Sequence, residues 1–262
     1  MRLRNWLAVI VSVLLLAAAG TIGILVNRSA VEAADTVHRA DSKALSVNNG
    51  LLIGQLQMLA VAELGDFVTD HALSLEKGSQ ADWRDLAGLV SKSNTFQYGA
   101  LLTDLGGTLL NATRTSGLPA MTDPGWAPMR ELLAAGKPGF SSVMTADQTQ
   151  LQAIAIPIVR DGKPAGVLIG LNQIASTSLQ KYIETLQDGT HITLVVDSTG
   201  RIGATNATER MGTKVDPAIQ AVLAGEDSFQ FLEYTADDTP MITTVVRGLP
   251  GGWVYLRVQT MS

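Results

Sequence analysis

One short phrase occurs twice in this chain, 93 residues apart, and that repetition limits the possible folds more than any single residue does. The first copy is Leu101-Leu102-Thr103-Asp104-Leu105-Gly106-Gly107, followed by Thr108-Leu109-Leu110. The second is Leu194-Val195-Val196-Asp197-Ser198-Thr199-Gly200, followed by Arg201-Ile202. Each is an apolar run, then Asp-x-x-Gly, then a second apolar run. Such a pattern encodes a β-hairpin: the aspartate bonds back to the turn backbone and the glycine takes the left-handed position that closes it. A second echo follows each copy. Ile156-Pro157-Ile158-Val159-Arg160-Asp161-Gly162 precedes Gly166-Val167-Leu168-Ile169, and Thr244-Val245-Val246-Arg247-Gly248 precedes Gly252-Trp253-Val254-Tyr255-Leu256. Two similar sheet-forming modules in tandem is the economical reading.

The N-terminus adds a second constraint. After the basic Met1-Arg2-Leu3-Arg4, the 21 residues from Trp6 to Val26 carry no charge. As a helix they span about 30 Å, the thickness of a bilayer's hydrocarbon core. The two arginines hold the N-terminus inside, so residues 1–27 read as a signal anchor with everything after Asn27 outside the cytoplasm. A cleaved signal peptide is the competing reading, because Ala17-Ala18-Ala19 offers a small-residue cleavage site. Cleavage would leave Ile22 to Val26 as an exposed apolar start, which favours the anchor. The absence of cysteine suits an exported chain and excludes disulfides, thiolate metal sites and thiol nucleophiles. With hydrophobic residues at 46%, charged residues at 16% and a formal charge of −5, the chain can build cores and shows no basic block for nucleic acid.

Residues 28–80 contain no proline, and Leu45, Leu52 and Leu59 fall seven apart with Leu56 between the last two and Leu64 and Phe67 following. This predicts a long amphipathic helix. The leucine stripe is either a homodimer seam or the face that packs on the chain's own domain. Two modules follow, at 81–173 and 174–262. The first reads as strands near 97–104 and 108–113, a helix near 125–135, and strands near 140–145, 150–159 and 165–171. Asp123-Pro124 starts its helix and Gly136 stops it. After a connecting helix near 174–187, the second repeats the plan with strands near 191–197 and 201–205 and a helix near 216–224. Strands near 229–234, 239–247 and 253–259 close it. Short turns between successive strands imply antiparallel sheets and an α+β class.

Membrane span, long helix and two such modules resemble the tandem Cache sensor domain of bacterial receptors, a PAS-like extracytoplasmic fold. The resemblance rests on Thr103-Asp104-Leu105-Gly106-Gly107, on Ala155-Ile156-Pro157-Ile158 followed by Gly166-Val167-Leu168, and on Gly251-Gly252-Trp253-Val254. It implies that the membrane-distal module, 81–173, binds a small molecule. Amino-acid-binding members carry Arg-x-Trp-Tyr at the helix start and a Tyr-x-Asp further on. Here the first stretch reads Pro124-Gly125-Trp126-Ala127, which keeps only the Trp, and Met144-Thr145-Ala146-Asp147 keeps only the acid. Half the clamp is absent, which counts against an amino-acid ligand. The candidate ligand-binding residues are therefore Trp126 and Asp147, with Tyr98, Phe140 and Met144 as further wall. Trp126 can equally be core, and Asp147 a turn residue.

No catalytic, metal or cofactor site is expected. His38, His71 and His191 lie far apart in the chain and show no metal-ligand spacing, and no nucleophile elbow or phosphate loop occurs. The favoured function is an extracytoplasmic small-molecule sensor domain of a membrane-anchored signalling protein. Family receptors continue into a second span and a cytoplasmic module, whereas this sequence ends at Ser262. Output is accordingly expected through a signalling partner protein or a lost cytoplasmic half. The alternatives are a membrane-anchored surface protein that captures a solute or another protein, and an exported hydrolase.

Overall fold

A computed structural model describes residues 28–187 and 189–261, residue 31 by its backbone alone. The anchor read at Trp6–Val26 lies outside the described residues. Helix α1 has the bounds Arg2–Asp70. Compact packing divides the chain into residues 1–45 and 46–262, and the second unit holds both modules.

The first module is an antiparallel sheet of six strands: β1 (Gly99–Thr103), β2 (Leu109–Ala112), β3 (Gly139–Phe140), β4 (Met144–Ala146), β5 (Thr149–Arg160) and β6 (Lys163–Gln173). Its order is β2-β1-β6-β5-β3, with β4 also paired to β5. The second sheet contains β7 (Ile192–Val196), β8 (Ile202–Thr205), β9 (Phe229–Ala236), β10 (Thr239–Val246) and β11 (Val254–Thr260). Its order, β8-β7-β11-β10-β9, repeats the first. The repeated phrase forms the same hairpin in both. Gly107 and Gly200 hold φ of 81° and 78° and donate their N–H to the carbonyls of Asp104 and Asp197. In each pair the register slips one residue before the aspartate, at Leu102/Thr103 and at Val195/Val196. The fold is α+β with two antiparallel sheets.

Each sheet is covered on both faces. On one face of the first lie Ala60, Val61, Leu64 and Phe67 of α1, together with Leu86 and Leu89 of α2 (Gln80–Lys92). Its other face carries the turn Pro124–Trp126 and α3 (Ala127–Ala134). The second sheet packs Ile53 of α1 and Leu179 and Ile183 of α4 (Ser178–Thr185) on one face. Against its other face sit Val215, Leu223 and Ile219 of α5 (Pro217–Gln220). Polar bonds add to the α1 contact: Asn49 donates to the Tyr255 hydroxyl at 3.1 Å, and Ser46 bonds Thr244 at 2.8 Å. Burial pushes the Tyr255 phenol up from its ordinary pKa. Gly50 is required here, since a Cβ would lie 2.9 Å from Val246 Cγ1. Along α1 the second sheet is thus met first and the first sheet about 20 Å further from the N-terminus, at 1.5 Å per residue.

The structure departs from the sequence reading in four places. The long helix stops at Asp70, and the missed α2 begins at Gln80. Asp82 holds the intervening turn, accepting from Ser74 N–H at 2.7 Å, Ser74 Oγ at 2.9 Å and Leu75 N–H at 3.1 Å. The strand read at 140–145 is broken: Ser142 N–H donates to Gly125 O and Val143 N–H to the Asp197 carboxylate, so neither serves the ladder. The helix read at 216–224 is one turn, Pro217–Gln220. Finally, Leu45, Leu52 and Leu59 are 46%, 45% and 65% exposed. The packing face is Ile53, Ala60, Leu64 and Phe67, so the stripe divides: its later members Leu64 and Phe67 serve the domain core, and the three leucines seven apart do not. One helix among the described residues, Arg28–Asp70, is long and apolar enough to cross a membrane. Its core stripe is already used against the two sheets.

Candidate ligand-binding site

The site is built where α3 crosses the first sheet. Asp123 caps the preceding turn, its carboxylate accepting from Gly125 N–H at 2.7 Å, and Pro124 supplies the preset first helical φ. Trp126 is thereby driven onto the sheet face formed by Leu101, Val167 and Ile169, where it is wholly buried. Its indole N–H donates to Ala120 O at 2.9 Å and so ties down the loop that leads into α3. Gly125 is a close-approach glycine: a Cβ there would lie 2.5 Å from Met144 Cγ.

Between α3, this sheet face and the loop lies a cavity of about 360 Å³. Trp126, Met129 and Leu133 form one wall and Pro157, Val167 and Ile169 the other. The Asp104–Gly107 turn and Arg130 complete the lining with opposite charges. Arg130 donates to Met121 O, and Asp104 accepts from Thr108 N–H at 2.8 Å. That backbone bond holds the Asp104 carboxyl below its ordinary range, so it is anionic at neutral pH. An apolar body with a few charged groups at its lining is the usual make-up of a small-molecule site.

Of the residues singled out from sequence, Trp126 lines this cavity and Met144 packs beneath it in the same apolar cluster. Tyr98 and Asp147 meet elsewhere. The Tyr98 hydroxyl donates to Gly117 O at 2.6 Å, and a Cβ on Gly117 would lie 2.8 Å from Asp147 Oδ2. The Arg114 guanidinium stacks 4.1 Å from the Tyr98 ring centre at the same place. Asp147 is exposed and, with Gln148, has positive φ in the tight β4–β5 turn. Phe140 faces the other side of the sheet and packs against Gly251. Sequence reasoning missed Met129, Arg130 and Leu133, although they stand three, four and seven residues after Trp126, the spacing of one helical face. No group of His, Cys, Asp or Glu suited to a metal occurs among the described residues.

No family model matches the sequence, and no curated protein is similar to it. Solved structures do share its fold. The ligand-binding domain of the Pseudomonas aeruginosa PAO1 amino-acid chemoreceptor PctC, in complex with GABA, is 17% identical with a TM-score of 0.58, covering 83% of this chain and 96% of that one. The ligand-binding domain of the Pseudomonas fluorescens chemoreceptor CtaA, in complex with L-isoleucine, is 16% identical with a TM-score of 0.58, over 82% and 89%. The extracellular domain of the histidine kinase rpHK1S-Z16 is 14% identical with a TM-score of 0.65, over 84% and 92%. This is the tandem Cache fold. The cavity under α3 belongs to the module met second along α1. Two of these neighbours are ligand-binding domains of chemoreceptors, and the third is the extracellular domain of a histidine kinase.

Proposed function

We propose that the chain is the extracytoplasmic sensor domain of a membrane-anchored signalling protein. Its ligand would be a small organic molecule with an apolar body and a charged end, held in the membrane-distal module. The observation that carries this reading is the 360 Å³ cavity, apolar over most of its wall and lined by both Asp104 and Arg130. The ligands bound by two of the neighbours, GABA and L-isoleucine, are small and charged and so support the class without fixing the molecule. Two features support a membrane anchor with the first module distal. They are the uncharged run Trp6 to Val26 and the later docking of the first sheet along α1. Ligand can shift the domain only by binding one arrangement of sheet and helix more tightly than another.

The test is a thermal-shift and calorimetric screen of the full chain in nanodiscs against organic acids, amines and amino acids. Leu133→Trp is expected to abolish the hit while moving the ligand-free Tm by about 2 °C or less, since it fills existing space without opening the core. Binding that survives Leu133→Trp would place the ligand elsewhere.

We further propose that the chain forms a homodimer along α1 and passes its signal to a partner protein. The exposed stripe Leu52 and Leu59, with Leu51 and Met58 also seven apart, supports a helix seam. Analytical ultracentrifugation should find a dimer that the double change Leu52→Glu, Leu59→Glu converts to monomer. A monomeric wild type at tens of micromolar would sink this part of the reading.

A further inference from the structure

A second cavity, of about 160 Å³, lies where α1 passes from one sheet to the other. Two apolar columns converge on it, and each changes to an amide at that point. On α1 the packing face runs Ile53, Ala60, Leu64 and Phe67, and Gln57 interrupts it. On β5 the column Ile158, Ile156, Ile154 ends in Gln152, which pairs across the ladder with Asn172 of β6. Gln57 and Gln152 are 4% exposed and Asn172 3%. All three amides line the cavity, with Ile154 from the first module and Trp253 from the second.

These amides are not satisfied by one another. Asn172 Nδ2 donates to Gln152 Oε1 at 3.5 Å, a long bond. Gln57 Nε2, Gln57 Oε1, Gln152 Nε2 and Asn172 Oδ1 have no partner. Two donor groups and two acceptors therefore stand buried and unpaired around one cavity. Each buried, unpaired polar group costs about 1–3 kcal/mol, and polar residues at core positions that break the apolar pattern mark function more often than structure. The space is far larger than one bridging water requires. A void of about 150 Å³ admits a benzene-sized molecule.

We propose that this cavity is a second ligand site, for a small uncharged molecule carrying an amide, lactam or urea group. Such a group presents a donor and an acceptor side by side, which matches the unpaired set. A charged ligand is disfavoured, because the three buried amides offer no full counter-charge and the Glu63 carboxylate is only half-buried in the lining. Because α1, the first sheet, Leu179 of α4 and Trp253 contribute walls, a ligand here would bear on the joint between the modules and not on one module alone.

The experiment uses the full chain in nanodiscs, with propionamide and 2-pyrrolidone as probes and propionate and propylammonium as charged controls. Ligand-observed NMR titration should show saturable amide binding at least tenfold tighter than either control. Gln57→Met and Asn172→Leu should each weaken it tenfold or more, while Leu133→Trp in the distal cavity leaves it unchanged. The ligand-free melt supplies an independent readout. Gln57→Met removes two unpaired atoms at nearly constant volume and should hold or raise the Tm. Absent amide binding, or binding that both amide variants retain, overturns the proposal. So does a Tm that falls by 5 °C or more in Gln57→Met with no amide binding in the wild type, which identifies a water-filled structural joint.

Discussion

Replacing Asp197 by alanine is expected to lower the Tm by about 10 °C, the equivalent of about 3–5 kcal/mol for a chain of this size. Asp197 is wholly buried, and every bond it makes is local to its turn except one. Its Oδ1 accepts from Thr199 N–H at 2.8 Å, Thr199 Oγ1 at 2.7 Å and Arg201 N–H at 3.0 Å. Its Oδ2 accepts from Val143 N–H at 2.7 Å, and Val143 belongs to the first module. The truncation strands several donors at once, one of them at the joint between modules. Asp197→Asn keeps an acceptor for part of this set and should fall between the two. The repeat provides its own control. Asp104 occupies the equivalent turn but is only half-buried and, among the described residues, has no bond to the other module, so Asp104→Ala should cost only a small fraction of the Asp197 effect, by thermal melt under the same conditions. Equal losses at the two aspartates would show that Asp197 acts as a turn former and nothing more.

The same bond is part of a continuous chain of contacts between the modules. Ser142 N–H donates to Gly125 O, beside Trp126, and the next residue, Val143, donates to Asp197. The turn before α3 is therefore joined to the β7–β8 turn through two consecutive peptide groups. This is a route through contiguous contacts, and a double-mutant cycle pairing Asp197→Asn with Leu133→Trp would measure its coupling.

How much of this was legible in the sequence follows from the range of the interactions involved. The strands and their order could be read because alternation and Asp-x-x-Gly turns are local signals, complete within ten residues. Gly136 stops α3 at a φ of 69°, as its position suggests. Helix α2 was equally local and was overlooked: Ser79-Gln80-Ala81-Asp82 is a capping pattern, with Ser79 Oγ accepting from Asp82 N–H at 3.2 Å. The break in the strand at 140–145 was not legible, because the partner of Val143 lies 54 residues away. Nor was the amide cavity, since Gln57, Gln152 and Asn172 each look like ordinary surface residues until three elements bring them together. For the cavity under α3, Trp126 could be found from a motif, whereas Asp104 was read only as scaffold. It is a turn former that also lines the cavity.

Trp126→Ala is the second large effect, about 4 kcal/mol of stability lost, from a fully buried indole and its bond to Ala120 O. Sequence resemblance alone would make this the natural variant for testing ligand binding. Its burial argues otherwise. Removing the indole opens a void against Leu101, Val167 and Ile169 and frees the loop that the N–H anchors, so lost binding would follow from a loosened module whatever the ligand touched. Trp126→Phe separates the two contributions. It keeps most of the apolar volume and deletes the N–H, so its Tm should recover more than half of the alanine loss. If Trp126 only walls the cavity, Trp126→Phe should retain ligand binding within about threefold, a change of less than 1 kcal/mol. Binding that disappears in Trp126→Phe at nearly native Tm would instead assign the ordered 117–123 loop, held by that N–H, to the binding surface itself. Hydrogen exchange at Gly117 to Met121 reads the loop directly: faster exchange in both variants is expected, since both lack the bond to Ala120.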